Sequence, residues 1–349
     1  MQFHTFHLVH WPKGWSYQQV FSNELDLIQY AEDLGFDGSW IAEHHFTNHG
    51  ICASIMPFAA FAAARTTRIR IGSAVVVLPY QHPLRIAEEA AIVDILSNGR
   101  LNYGFGRGYS PIEYRNFGVN PAETRERADE NLEIVKLAWT RDAFSYDGTF
   151  TKIDNVNVHP KPLQKPHPPL WVAATTPGTI KHYGAKGIPF FTVPGPMPAQ
   201  CKVSLDEWMA EAQSHGFDTA NHQCGVQRYI AMAEDERDSW ELMQRARNAA
   251  TYSTAAVNGR TVDPKQLVRE KLEPSESPTW DVPWLAGTPD RVRSQVKELE
   301  AIGYKHLMLF LGRYPGTTPE ENKRNLKLFS QEVMPNFRSK VPAGAGKKS

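Results

Sequence analysis

Short apolar, β-branched runs alternate along the chain with longer stretches whose apolar residues recur at helical spacing. Residues 3–11 (FHTFHLVHW), 37–43 (DGSWIAE), 68–78 (RIRIGSAVVVL) and 100–106 (RLNYGFG) read as the first four strands. Residues 168–175, 188–193, 224–233 and 304–311 read as the other four. Helical periodicity fills the intervals. Ser16 is placed to cap the first helix and Gly35 to stop it. Pro57 stands near the start of the second helix, Asn98-Gly99 closes the third, and Pro121 stands near the start of the fourth. Eight strand–helix repeats in one chain of 349 residues predict an α/β fold, a (β/α)8 TIM barrel with insertions. Residues 1–335 are expected to form one domain.

Two stretches fall outside the repeat. Residues 143–168 read as a hairpin-and-turn insertion. Residues 253–287 are long, polar and hold four prolines, which suits a mobile lid. The tail 336–349 is small, polar and basic, and is expected to be disordered.

Composition removes several functions. Lys and Arg number 38, Asp and Glu 38, so there is no basic field for nucleic acid or an anionic membrane. No apolar run reaches the roughly 20 residues of a membrane span. Cys52, Cys201 and Cys224 are odd in number and far apart, which disfavours a disulfide framework and fits a reducing cytoplasm.

Barrels of this kind build their sites at the C-terminal strand ends. That rule selects Glu43-His44-His45, Leu78-Pro79-Tyr80, Gly106-Arg107-Gly108-Tyr109, Thr175 to Thr179, and Gly312-Arg313-Tyr314. Three hydroxyls (Thr175, Thr176, Thr179) at the start of a short helix, with Arg107 between glycines, suit a phosphate group. The glycines of GFGRG are spaced G-x-G-x-G, which is not the dinucleotide fingerprint. The histidines of residues 39–50 (SWIAEHHFTNHG) invite a metal reading. Adjacent strand residues face opposite ways, so His44 and His45 cannot share one ion, and no metal is expected.

The motifs EHHF after strand 2, the block from His82-Pro83 to Gly108, WVAATTPGTIKHYGAKGIP at strand 5 and GTPDRV before strand 8 resemble the bacterial luciferase-like family of flavin-dependent monooxygenases. The resemblance spans nearly the whole chain. It implies a barrel that takes reduced FMN from a separate flavin reductase and forms a C4a-peroxide with O2, which attacks a small organic substrate such as an aldehyde or ketone. His44 resembles the family's active-site histidine, whose role would be to manage protons near neutral pH. His45 would support it, and His49 would be an ordinary loop residue. Arg107, Thr175, Thr176 and Thr179 resemble the phosphate ligands, although the luciferase catalytic subunit has an acidic residue where Thr175 stands. Gly106 replaces that subunit's reactive cysteine. Ser73 and Ala74 would lie under the flavin ring, at a non-proline cis peptide at Ser73–Ala74 or Ala74–Val75. The family also implies a homodimer packed through the helices beside strands 2 and 3.

Phe6, Leu8, Trp40, Tyr80, Tyr109 and Phe191 are candidates for an apolar substrate pocket. Two competing functions share the fold: a deazaflavin-dependent oxidoreductase that transfers hydride, and a non-catalytic flavin-binding protein.

Overall fold

Eight parallel strands close into a ring in the computed structural model, in which residues 1–257, 283–313 and 316–338 are described. The chain runs β1 (Gln2–His7), α1 (Tyr17–Asp33), β2 (Gly38–Ile41), α2 (Ile55–Ala64), β3 (Arg70–Ser73), β4 (Val76–Val77), α3 (Pro83–Leu96), β5 (Leu101–Gly106), α4 (Pro111–Phe117) and α5 (Thr124–Thr140). It continues through the hairpin β6 (Phe144–Asp147) and β7 (Lys152–Val156), then β8 (Leu170–Ala173), α6 (Pro177–Gly184), β9 (Phe190–Phe191), α7 (Pro198–Ser214) and β10 (Gly225–Met232). The final elements are α8 (Glu236–Val257), β11 (Trp284–Gly287), α9 (Pro289–Ile302), β12 (His306–Phe310) and α10 (Pro319–Glu332). The ring order is β1, β2, β3 with β4, β5, β8, β9, β10, β12, and β12 pairs back onto β1 with Gln2 opposite His306. This is the (β/α)8 barrel that the alternation predicts.

Local chemistry sets the elements. Ser16 caps α1 and Gln19 returns the bond, while Gly35 takes the left-handed conformation after it (φ 87°). Barrel strands are buried on both faces, and β1 and β5 bury polar residues (His4, Thr5, His7, Asn102) along with apolar ones. Two cores result. One lies between strands and helices; the other, with Phe6, Trp40, Trp171, Phe191, Met308 and Phe310, fills the barrel. Trp40 needs room there. A Cβ on Gly72 would lie 2.2 Å from its ring, so only glycine fits at that point of β3.

Three differences from the sequence reading have physical causes. The third strand is split at Ala74–Val75, a cis peptide bond, so the second of the two expected positions is the observed one. Helix α4 was not foreseen, being a seven-residue element in a polar stretch. Part of the expected lid is regular structure: residues 253–257 end α8, and Trp284–Gly287 pairs with β10 as a parallel strand outside the ring. Residues 258–282, including Lys265, Arg269 and Lys271, lie outside the described residues, as do Tyr314 and 339–349. The insertion forms the antiparallel hairpin β6–β7, whose turn amides donate to the Glu130 carboxylate. Among the described residues, no helix is long and apolar enough to cross a membrane.

Candidate active site

The C-terminal strand ends surround a cavity of about 530 Å³, within the usual range for a small-molecule site. It is lined mainly by apolar side chains, among them Phe6, Leu8, Val77, Val172, Phe191 and Phe310. Of the predicted residues, His44, Ala74, Arg107, Tyr109, Thr175, Thr176, Thr179 and Phe191 all reach it. Ser73 and Tyr80 do not. Ser73 is fully buried and spends its hydroxyl on the Gly104 carbonyl and amide, behind the cavity wall. Tyr80 turns outward, stacks on Phe117 and donates to Glu113. Trp40 is likewise core and not lining.

The loop after β2 separates the two adjacent histidines. His44 is buried in the cavity wall with its Nδ1 3.2 Å from Glu113 Oε1. His45 faces away, its Nε2 3.1 Å from Glu43 Oε1. Glu113 also accepts from the His45 amide at 3.1 Å and the Tyr80 hydroxyl at 3.2 Å. Burial pushes the Glu113 carboxyl up, but the His44 bond, the two histidines' charges and the His45 amide outweigh it and hold it below the usual range. An ionised carboxylate only accepts, so Nδ1 of His44 carries the proton. Nε2 has no hydrogen-bond partner among the described residues, on a ring that lines the cavity. Burial pushes the Glu43 carboxyl up, against the opposing pull of His45. His49 departs from the plain loop role: it is buried, lines the cavity and sets its ring edge-on to His44 at 4.7 Å.

A cluster of hydroxyl and guanidinium groups occupies the β5–β8 side. Thr176 stands at the N-cap position of α6 without a side-chain bond to the helix amides, and its Oγ1 lies 2.9 Å from Thr179 Oγ1. Arg125, the second residue of α5, donates to Thr179 Oγ1 at 3.0 Å. Arg107 lies 3.5 Å from the Thr124 hydroxyl. Neither arginine is paired with a carboxylate among the described residues, and Thr175 and Thr176 are exposed. Two unpaired guanidinium groups beside three hydroxyls and a helix start fit a phosphate monoester.

Between these regions the wall is built from small groups. A Cβ on Gly104 would meet the Ser73 carbonyl at 2.0 Å, and one on Gly106 would meet Val75 Cγ2 at 2.7 Å. Two glycines of GFGRG therefore admit the Ala74–Val75 turn, a packing reason rather than a nucleotide motif. The cavity also contains Arg313, which the strand-end rule selected, and Glu113, Arg125 and Gln227, to which the sequence reading gave no role. Arg125 carried a signal, since a cation in the first helical turn opposes the helix dipole. Among the described residues no cluster of three or more His, Cys, Asp or Glu side chains could hold a metal.

A closed parallel barrel with guanidinium and hydroxyl groups and a histidine–carboxylate pair at its C-terminal mouth places the chain among the (β/α)8 barrels. The family model described as luciferase-like monooxygenase matches residues 1–306, and the chain belongs to that family. It is 27% identical over 349 residues to the alkanal monooxygenase alpha chain of Photobacterium leiognathi, covering 94% of this chain and 96% of that one. It is 27% identical over 329 residues to the oxygenase component of a flavin-dependent trigonelline monooxygenase from Acinetobacter baylyi, covering 92% and 91%. Protein y4vJ of Sinorhizobium fredii is 36% identical over 182 residues, so the chain spans about half of that relative's length (52%). Among solved structures, monooxygenase RslO1 of Streptomyces bottropensis superposes with a TM-score of 0.85 at 27% identity, covering 97% of this chain and all (100%) of that one. The FMN complex of the oxygenating constituent of 3,6-diketocamphane monooxygenase from Pseudomonas putida shares the fold at TM-score 0.76 and 18% identity, covering 96% of this chain and 98% of that one. An F420-dependent secondary alcohol dehydrogenase does so at 0.77 and 16%, covering 97% and 99%.

Proposed function

We propose that this protein is a monooxygenase that uses reduced FMN and O2 to oxidise a small, largely apolar substrate such as an aldehyde or ketone. The observation that carries this reading is the cradle of Arg107, Arg125, Thr175, Thr176 and Thr179 opening onto an apolar cavity with His44 in its wall. When bound, the reduced flavin supplies the electrons that activate O2, one oxygen atom passing to substrate and the other to water. The cradle holds the phosphate. Ala74, Val75 and Gly106 give the ring a close, flat apolar support. His44 Nε2 takes or returns a proton at the reacting centre, and Tyr109 and Phe191 line the substrate side. The apolar walls limit water at the reaction site.

A separate reductase supplies the reduced flavin, a reading supported by the Acinetobacter relative's description as an oxygenase component. Residues 1–335 act as one domain in the cytoplasm, which suits three free, buried cysteines. The enzyme works as a homodimer through α2 and α3.

Titration with reduced FMN and with reduced deazaflavin tests the cofactor. FMN is expected to bind in preference. Arg107→Gln and Arg125→Gln should each weaken it about ten- to a hundredfold, the loss expected for a charged hydrogen bond. His44→Ala should keep the FMN affinity and lower kcat by about 10²–10⁴. A preference for deazaflavin, or FMN affinity indifferent to both arginines, would overturn the reading.

A further inference from the structure

A third guanidinium stands across the barrel from the cradle, and it too lacks an anion. Arg313 follows β12, is 5% exposed and lines the cavity. Its guanidinium lies over the Phe310 ring, 4.9 Å from the centroid, and Nη1 donates to the Ala250 carbonyl at 3.3 Å. Its Nε has no acceptor, and among the described residues no carboxylate pairs with it. The groups that act on its charge are the phenols of Tyr229 and Tyr109; burial holds its pKa below the usual arginine value and the phenols oppose that. Arginine remains protonated at any pH the protein meets, and burying a cation without an anion is costly. The deeper wall repeats the pattern. Gln227, 2% exposed on β10, lines the cavity with its Nε2 lacking any acceptor. Gln227 and Tyr229 alternate along β10 and so share a face.

Ring order decides which ligand these donors serve. Arg107 and the threonines follow β5 and β8, whereas Arg313 follows β12, four strands from β5 in a ring of eight and therefore opposite. A phosphate held in the cradle is on the far side of the cavity from Arg313.

We propose that Arg313 anchors a carboxylate on the substrate, with the Gln227 amide as a second donor, so that the substrate is an amphipathic carboxylic acid whose apolar body lies along Phe6, Phe310 and Tyr229. That this acid is oxidised rests on the monooxygenase reading; the anion site does not.

Calorimetric titration of the full chain with benzoate and octanoate, each against its amide, tests the proposal. At least one acid should bind about tenfold or more tightly than its amide, as a charged hydrogen bond requires. Arg313→Gln should abolish that preference and leave affinity for reduced FMN within about twofold. Arg313→Lys, which keeps the charge but loses the planar fork, should restore part of it. Wild-type protein that binds acid and amide alike would refute the site, and this arm needs no variant to fold. So would a preference that survives Arg313→Gln, or an FMN affinity lost with it, which would assign the arginine to the flavin. If the wild type ignores reduced FMN yet keeps the Arg313-dependent preference, the carboxylate site stands and the monooxygenase reading falls.

Discussion

Glu113 determines which nitrogen of His44 carries the proton, and so which one can act on a substrate. It accepts from three donors, two of them on the strand-2 loop, and thereby fixes both the tautomer and the tilt of the ring. Glu113→Gln keeps an acceptor oxygen for His44 and His45 but sets a donor-only NH2 against the Tyr80 hydroxyl and removes the negative charge beside His44. We expect kcat to fall about ten- to a hundredfold, as for a misplaced catalytic group, with the affinity for reduced FMN unchanged. The lowered carboxyl pKa adds a stability signature. Its contribution is present above the unfolded value near 4.3 and is lost as pH falls through the folded value. The stability gap between wild type and Glu113→Gln should therefore narrow in acid below about pH 4.3. Equal kcat in the two proteins would remove Glu113 from the site. The sequence reading parted His44 from His45 by strand alternation, but β2 ends at Ile41 and the two diverge in the loop that follows. Their partners were not legible, because Glu113 lies 69 residues from His44 on a helix too short to show periodicity.

The elements were easier to read than their junctions. Barrel strands are short runs punctuated by turn residues and helices carry one apolar face, so the alternation shows in a single sequence. Junctions depend on contacts that local pattern does not encode: the β3–β4 break needs glycines on β5, and β11 hides at the end of a proline-rich polar stretch. The outer face of α2 and α3 bears on assembly. Phe61 of α2 and Ile92, Ile95 and Leu96 of α3 are exposed, with Leu96 at 63% and Phe61 at 51%, on the two helices that flank β3. Scattered exposed apolar residues are normal, but a cluster on neighbouring helices suits a partner surface. A second copy of this chain is the partner proposed. Phe61→Lys and Leu96→Lys each bury an unpaired charge in such an interface and should convert a dimer to a monomer by sedimentation, with the melting curve still cooperative. A wild-type monomer, or variants that remain dimeric, would exclude this face.

At the scale of the whole molecule the two ends of the barrel carry opposite electrostatic designs. The C-terminal mouth holds guanidinium groups without carboxylate partners among the described residues, whereas the N-terminal end holds a neutral histidine pair. His4 Nε2 lies 2.8 Å from His306 Nδ1, and His306 Nε2 lies 2.8 Å from Gln223 Oε1. The Gln223 oxygen accepts, so His306 carries its proton on Nε2 and accepts from His4 through Nδ1. His4 Nδ1 is left without a partner, facing Gly38, where even a Cβ would come within 2.5 Å. A second proton there would have no acceptor among the described residues. Burial first, and Arg70 second, pull the His4 pKa from 6.5 down to about 3; burial, His4, His222 and the N-terminus lower that of His306. Below the unfolded-state value near 6.5, the unfolded chain takes protons that the folded one refuses. Stability must therefore fall as pH drops from about 6.5 towards the folded values, by about 1.4 kcal/mol per pH unit for each histidine. Unfolding free energies from urea titrations near neutrality and at about pH 5 measure this slope. His4→Gln, which keeps a donor toward His306 but cannot titrate, should reduce it by about one histidine's share. A stability that stays flat between about pH 6.5 and 5, or a slope untouched by His4→Gln, would mean that the N-terminal end admits the proton after all.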